Sequence, residues 1–281
     1  MQTYRDQATE IRGRENGFSA IEMLIAVALL MVVLGVVVRG MTDMQKRGFS
    51  ESSKMDAVQD ARDFTDQMVR DVHMVGYPPP AATTAGNVNV LSGPYCTDSA
   101  ANGAVNAAVR MNANIACGIV FYSPTNVIYE GDLDGSGTVS VVFLNLVTGA
   151  GGACPCTLQR GVVPKTAWAA LPGIVPQYFT TVNGVLNSGN GAGGSTFPLV
   201  VNGPGNYTSY KNADVFDAYD ANATLITAQC SLGTPGNPGT VPDCSQIRSL
   251  QITVNAVPAY ADPTTKQFPV YSITSKARIN F

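Results

Sequence analysis

Residues 18–38 read FSAIEMLIAVALLMVVLGVVV, an apolar run of 21 residues with a single charge, Glu22. A helix rises about 1.5 Å per residue, so the run spans roughly 30 Å, the hydrocarbon thickness of a bilayer. It exceeds the apolar core of a secretory signal, and the following VRGMTDM offers no A-x-A cleavage pattern. We read it as a membrane-inserting helix. Beyond it, Met55, Val58, Ala61, Thr65, Met68, Val72 and Val75 recur at steps of three and four. Lys54, Asp56, Arg62, Asp63, Asp66, Arg70 and Asp71 fall between them as a polar face. Gly76 and Pro78-Pro79-Pro80 end the pattern, since proline lacks the donor and clashes with the preceding turn. One nearly continuous helix over about 18–75 is predicted, on the order of 85 Å long.

The pattern then changes to a period of two. Residues 119–122, 127–129 and 138–148 are strand candidates rich in β-branched and aromatic side chains. Leu250, Ile252, Val254 and Ala256 alternate with Gln251, Thr253 and Asn255; Tyr271, Ile273, Ala277 and Ile279 alternate with Ser272, Thr274, Lys276 and Arg278. These last two strands are expected to pair antiparallel across 258–266, with one face on the core. Residues 183–208 carry seven glycines and read as an exposed loop. The predicted class is α+β: a long N-terminal helix, its first half in the membrane, packed on an antiparallel sheet with disulfide-bonded loops.

Charge and composition narrow the function. Charged residues are 13% of the 281, with 17 Lys+Arg against 20 Asp+Glu. With no basic excess, nucleic acid is not an indicated partner. Arg5, Arg12 and Arg14 before the run balance Arg39, Lys46 and Arg47 after it, so charge bias does not orient the helix. The cysteines do. Cys96, Cys117, Cys154, Cys156, Cys230 and Cys244 all follow the run, and an even set in loop-rich sequence points to disulfides in an oxidising compartment. The N-terminus is therefore expected in the cytoplasm and the remainder outside. By proximity we expect Cys96–Cys117 and Cys230–Cys244, with Cys154 and Cys156 each pairing elsewhere.

Glu22 is the anomaly of the apolar run, because a carboxylate in hydrocarbon is costly unless it lies near an interface or meets a positive partner. Cutting the chain between Gly17 and Phe18 would supply one, as the new α-amine lies four residues from Glu22. Gly17-Phe18-Ser19-Ala20-Ile21-Glu22-Met23 followed by the apolar run resembles the prepilin signature of type IV pilins and type II secretion pseudopilins. The resemblance implies a leader of residues 1–17 removed by a prepilin peptidase after Gly17, N-methylation of Phe18, and Glu22 as the assembly residue that pairs with a neighbour's terminal amine. Asp60 to Phe64 and Val69 to Tyr77 (DARDF, VRDVHMVGY) are similar to the helix end of PilW-type minor pilins. Arg39-Gly40 stands where major pilins often carry proline, which favours a minor subunit.

The implied organisation is 1–17 leader, 18–38 membrane and assembly helix, 39–76 amphipathic continuation, and 77–281 extracytoplasmic β-rich domain. The implied role is a minor pilin in an initiation or tip complex. Its partners would be other pilins, the prepilin peptidase, the inner-membrane assembly platform and, before assembly, the lipid bilayer. A J-type pseudopilin of type II secretion shares these features. An uncleaved, signal-anchored surface-binding domain such as an adhesin is the alternative of another class. No H-E-x-x-H, G-x-S-x-G, Walker A or dinucleotide fingerprint occurs, and the single histidine, His73, sits at a helix end, so no enzyme is expected. Asp132-Leu133-Asp134-Gly135-Ser136 matches the first half of a calcium loop. Phe143 stands where the bidentate Glu belongs; Glu130 is a substitute from upstream, and a tight turn between strands is the plainer reading.

Overall fold

The computed structural model describes residues 18–77, 116–148, 154–165, 176–188, 213–231 and 244–279, together with 199, 201 and 210. Helix α1 runs Ala20–Met74 without a break. Ser19 caps it: its carbonyl accepts the N–H of Glu22 and Met23, and its own N–H donates to Glu22 Oε2 at 3.2 Å. Gly76, at φ +78°, ends it in the left-handed region that glycine enters without steric cost. The chain divides at Gly48 and Phe49 into two compact units. In the first, the apolar side chains of α1 are exposed. In the second, α1 buries Ala57, Ala61, Phe64, Thr65, Met68, Asp71 and Val72.

That buried stripe corrects the one read from the sequence. Met55 is exposed and Val58 only half-buried, while Ala57 and Phe64 take their places. Asp71, assigned to the polar face, is buried, because the sheet provides it with ionic and hydrogen-bonding partners.

Among the described residues the sheet has ten strands, all paired antiparallel: β1 Ile119–Tyr122, β2 Asn126–Gly131, β3 Ser140–Val147, β4 Cys156–Pro164, β5 Tyr178–Val185, β6 Phe216–Tyr219, β7 Leu225–Ile226, β8 Cys230–Ser231, β9 Ser249–Ala256 and β10 Tyr271–Arg278. The path is β7-β6-β9-β5-β4-β3-β2-β1-β8, with β10 added on β9. The expected pair β9–β10 forms in continuous register from Ser249↔Arg278 to Ala256↔Tyr271. Strands β4 and β5 are not predicted by the sequence pattern. Their pairing places Val185 opposite both Cys156 and Ala256, so the beginning of the run read as an exposed loop is a strand end, and 185–188 are buried. The remainder of that run lies mostly outside the described residues.

Strand β9 forks the sheet. Its Ala256 end meets β5, while its Ser249–Ile252 portion meets β6. Asn187 fills the fork. Its Nδ2 donates to the carbonyls of Asp214 and Thr253 at 2.9 and 3.0 Å, and its Oδ1 accepts the N–H of Asn255 at 2.8 Å. The two ends of the path, β7 and β8, are separated by only three residues of chain, so the sheet curls back on itself. Tyr122 of β1 bridges the closure. Its hydroxyl donates to Phe216 O and accepts from Ala218 N–H, both at 3.2 Å, and burial pushes its pKa up to about 12. Phe64 and Met68 of α1 lie inside the curl with Tyr129, Leu144, Leu158 and Ile252.

The exit of α1 is fastened to β2. Val75 bridges Gly131, Gly76 N–H donates to Glu130 O at 3.0 Å, and Asp132 N–H donates to Tyr77 O at 2.9 Å. Gly131 is glycine because of this approach: a Cβ there would stand 2.5 Å from the carbonyl oxygen of Met74. Farther up, Lys54 Nζ donates to Asp262 Oδ2 at 3.0 Å and Ser53 Oγ accepts Ala259 N–H at 2.9 Å, tying α1 to the segment between β9 and β10. The Gly131→Ala substitution should cost about 1–3 kcal/mol of unfolding free energy, since backbone rather than a movable side chain blocks the new methyl; urea denaturation of the full chain in detergent measures it.

Candidate functional site

The first turn of α1 carries the sequence-derived assembly residues. Gly17 lies outside the described residues. Phe18 precedes the helix with its ring exposed, and Glu22 occupies the third helical position. Ser19-Ala20-Ile21-Glu22 is a capping box, in which the N-cap residue and the acid three places on satisfy orphan backbone donors. The Glu22 carboxylate takes Ser19 N–H at 3.2 Å, while Ser19 Oγ faces Ile21 N–H at 3.4 Å. The S-x-x-E spacing is the sequence signal of this cap, and the reading of Glu22 as an anomaly in lipid misses it. The cap gives Glu22 a local role beside any intermolecular one: the acid closes the helix end and lies at the positive pole of its dipole.

The second unit holds α1 by a buried carboxylate. Asp71 Oδ2 accepts Tyr129 O–H at 2.8 Å and Arg160 Nε and Nη2 at 3.0 and 2.8 Å; Oδ1 accepts Gln67 Nε2 at 2.6 Å. The helix, β2 and β4 thus meet on one acid. Complete burial drives the Tyr129 hydroxyl pKa well above the ordinary phenol range, and the Asp71 charge adds to the shift, so Tyr129 stays a donor. A second buried pair sits beside the helix exit. Lys165 Nζ is 2.7 Å from Glu130 Oε2, which also accepts Cys117 N–H at 2.8 Å. Glu130, the proposed upstream calcium ligand, is therefore engaged with Lys165.

The segment 132–138 between β2 and β3 is organised by its own amides. Both oxygens of the buried Asp132 accept N–H groups, from Ser136 at 3.1 Å and Gly137 at 2.8 Å, and Asp134 Oδ1 accepts Ser136 N–H at 3.0 Å. Hydrogen bonds from the Ser136 hydroxyl and amide hold the Asp134 carboxyl below its ordinary pKa. Gly135 and Gly137 adopt φ of +71° and +82°, the conformations such a turn requires. Among the described residues no group of three or more His, Cys, Asp or Glu side chains is placed around a common metal position.

Cys230 is bonded to Cys244, the pairing proximity suggested. Cys117 is also disulfide-bonded, and its expected partner Cys96 lies outside the described residues. The expectation for Cys154 and Cys156 is corrected: they bond to each other across Pro155. Cys156 opens β4 and Cys154 stands two residues before it. The chain bends at Cys154 and Pro155, which brings the two Cα atoms to 4.3 Å, and both cysteine side chains are buried. His73 is exposed near the end of α1.

No family model, curated protein or solved structure matches the chain. The architecture is nonetheless pilin-like. A long apolar N-terminal helix, sufficient in length and composition to cross a membrane, continues into a stretch packed on an antiparallel sheet with disulfide-linked loops. That arrangement is consistent with a membrane-anchored structural subunit.

Truncating Asp71 to Ala would strand the Arg160 guanidinium and the Tyr129 hydroxyl. The cost should be about 3 kcal/mol, the low end for a broken buried pair because Arg160 keeps some exposure. The double variant Asp71→Leu/Arg160→Met should recover most of it, as read by paired denaturation curves.

Proposed function

We propose that the protein is a minor subunit of a type IV pilus, acting in the initiation or tip complex of the fibre. The observation that carries this reading is the first unit. Its helix presents an almost uninterrupted apolar surface, with Leu24, Met31 and Val36 more than half exposed, and a carboxylate set into its first turn. Such a surface needs either lipid or other helices around it. In the proposed cycle the peptidase removes 1–17, the chain waits in the inner membrane with its globular part outside, and the assembly platform passes the helix into a bundle of like helices. There Glu22 meets the α-amine of a neighbouring Phe18. Two opposite charges that neutralise each other in a low-dielectric bundle are far cheaper to bury than one alone. Calcium at Asp132, Asp134 and Ser136 belongs to the same proposal as an accessory of the β2–β3 turn.

Mass spectrometry of the protein recovered from membranes should find a chain beginning at N-methylated Phe18; recovery of a chain beginning at Met1 would overturn the reading. Glu22→Gln separates the charge from the cap, because glutamine also closes a capping box. As sole copy, this variant should insert and be cleaved but be absent from sheared fibres, as should Glu22→Ala. Normal incorporation of Glu22→Gln would show that the charge does no assembly work.

A further inference from the structure

Residues 213–231 and 244–279 contain four Lys and Arg, and three of them converge on one cleft. Arg248, Lys276 and Arg278, with Ser249 and Asp220, line a space of about 520 Å³ at one end of the β6–β9–β10 layer. The register explains the convergence. Arg278 stands opposite Ser249 and Lys276 opposite Gln251, two residues apart on the exposed face of β10. Arg248 immediately precedes β9, where its Nη1 donates to Ile247 O at 3.1 Å. Lys276 Nζ lies 3.5 Å from the centroid of the Tyr219 ring on β6, an arrangement that positions the ammonium without cancelling its charge. Among the described residues Asp220 is the one carboxylate in the lining, and its Oδ1 already accepts the N–H groups of Asn222 and Thr224, each at 2.8 Å.

We propose that this cleft binds a phosphoryl group carried by a larger molecule. Lys276 and Arg278 by themselves outweigh the single carboxylate of the lining, so the cleft has the sign that a phosphate dianion requires. The Arg278 guanidinium can engage two phosphoryl oxygens as a fork, and the Lys276 ammonium adds a compact point charge beside it. The volume exceeds what a bare phosphate fills, leaving space for the group that bears it. The site is independent of the fibre reading, since it lies wholly in the sheet-bearing unit.

The test is calorimetric titration of the full chain, in non-ionic detergent at low salt, with pyrophosphate and separately with a soluble short-chain phosphatidate. Saturable binding is expected, at least about tenfold weaker in Lys276→Gln/Arg278→Gln, the scale of losing charge-assisted hydrogen bonds. Lys266→Gln, which removes the fourth cation, should bind as the unaltered chain does. Tighter binding of phosphatidate assigns the group to a lipid headgroup, and tighter binding of pyrophosphate to a soluble phosphate. The proposal is overturned by no saturable binding of either probe, by a double variant that binds as well as the unaltered chain, or by equal weakening in Lys266→Gln. A readout that needs no variant is salt: affinity must fall steeply as ionic strength rises, and an affinity indifferent to salt also overturns it.

Discussion

The sheet-bearing unit depends on the burial of one carboxylate. Asp71 leaves the surface of α1 in its last turn and receives four hydrogen bonds, two of them from the Arg160 guanidinium and one from Tyr129. Dispersion and apolar burial hold Phe64 and Met68 against the sheet, but these forces are non-directional and would tolerate a helix slid by a turn. Asp71 would not. A displacement of one turn removes the Arg160 and Tyr129 partners and leaves only Gln67 of its own helix to a charge that has little water. The ion pair therefore contributes more to choosing one register of helix on sheet than to net stability.

The same register is enforced at the helix exit by backbone rather than charge. Gly131 lets the carbonyl of Met74 approach β2, and the bridge Val75↔Gly131 converts the end of a helix into an extra rung of the sheet. Glu130, next along β2, turns inward to Lys165 beyond β4. Each of these ties joins elements far apart in sequence, so the helix is fixed only once β2, β3 and β4 are aligned. The fork at β9 closes the other side, where Asn187 uses its amide to replace the ladder bonds that β5 and β6 leave vacant.

Much of this is legible in the chain. The apolar run, the amphipathic continuation, the glycine that stops the helix and the alternating strands β9 and β10 all follow from periodicity, which reports faces directly. What periodicity misreports is a polar side chain on a buried face. Asp71 reads as solvent-facing because a charge is normally exposed, and only the partners brought by β2 and β4 reverse that presumption. Strands β4 and β5 are obscured for another reason: Cys154-Pro155-Cys156 and the glycine-rich run beyond Gly184 suggest irregular chain, whereas both flank regular strands. The disulfide inside C-P-C closes across a bend just before β4, which spacing alone does not disclose. Glu22 stands out by its cost in lipid, and that cost hides the nearer partner, Ser19, three residues away in the same chain.

Strand β10 has one further consequence. Among the described residues it pairs with β9 alone, so within them it is an edge strand, the kind of element whose backbone donors and acceptors can recruit an extended polypeptide. Such stray strand addition is the hazard of an exposed sheet edge. The exposed Lys276 and Arg278 near the end of β10 discourage it, since stacking a second copy alongside would bring like charges together. Uncontrolled cross-β growth is thereby disfavoured.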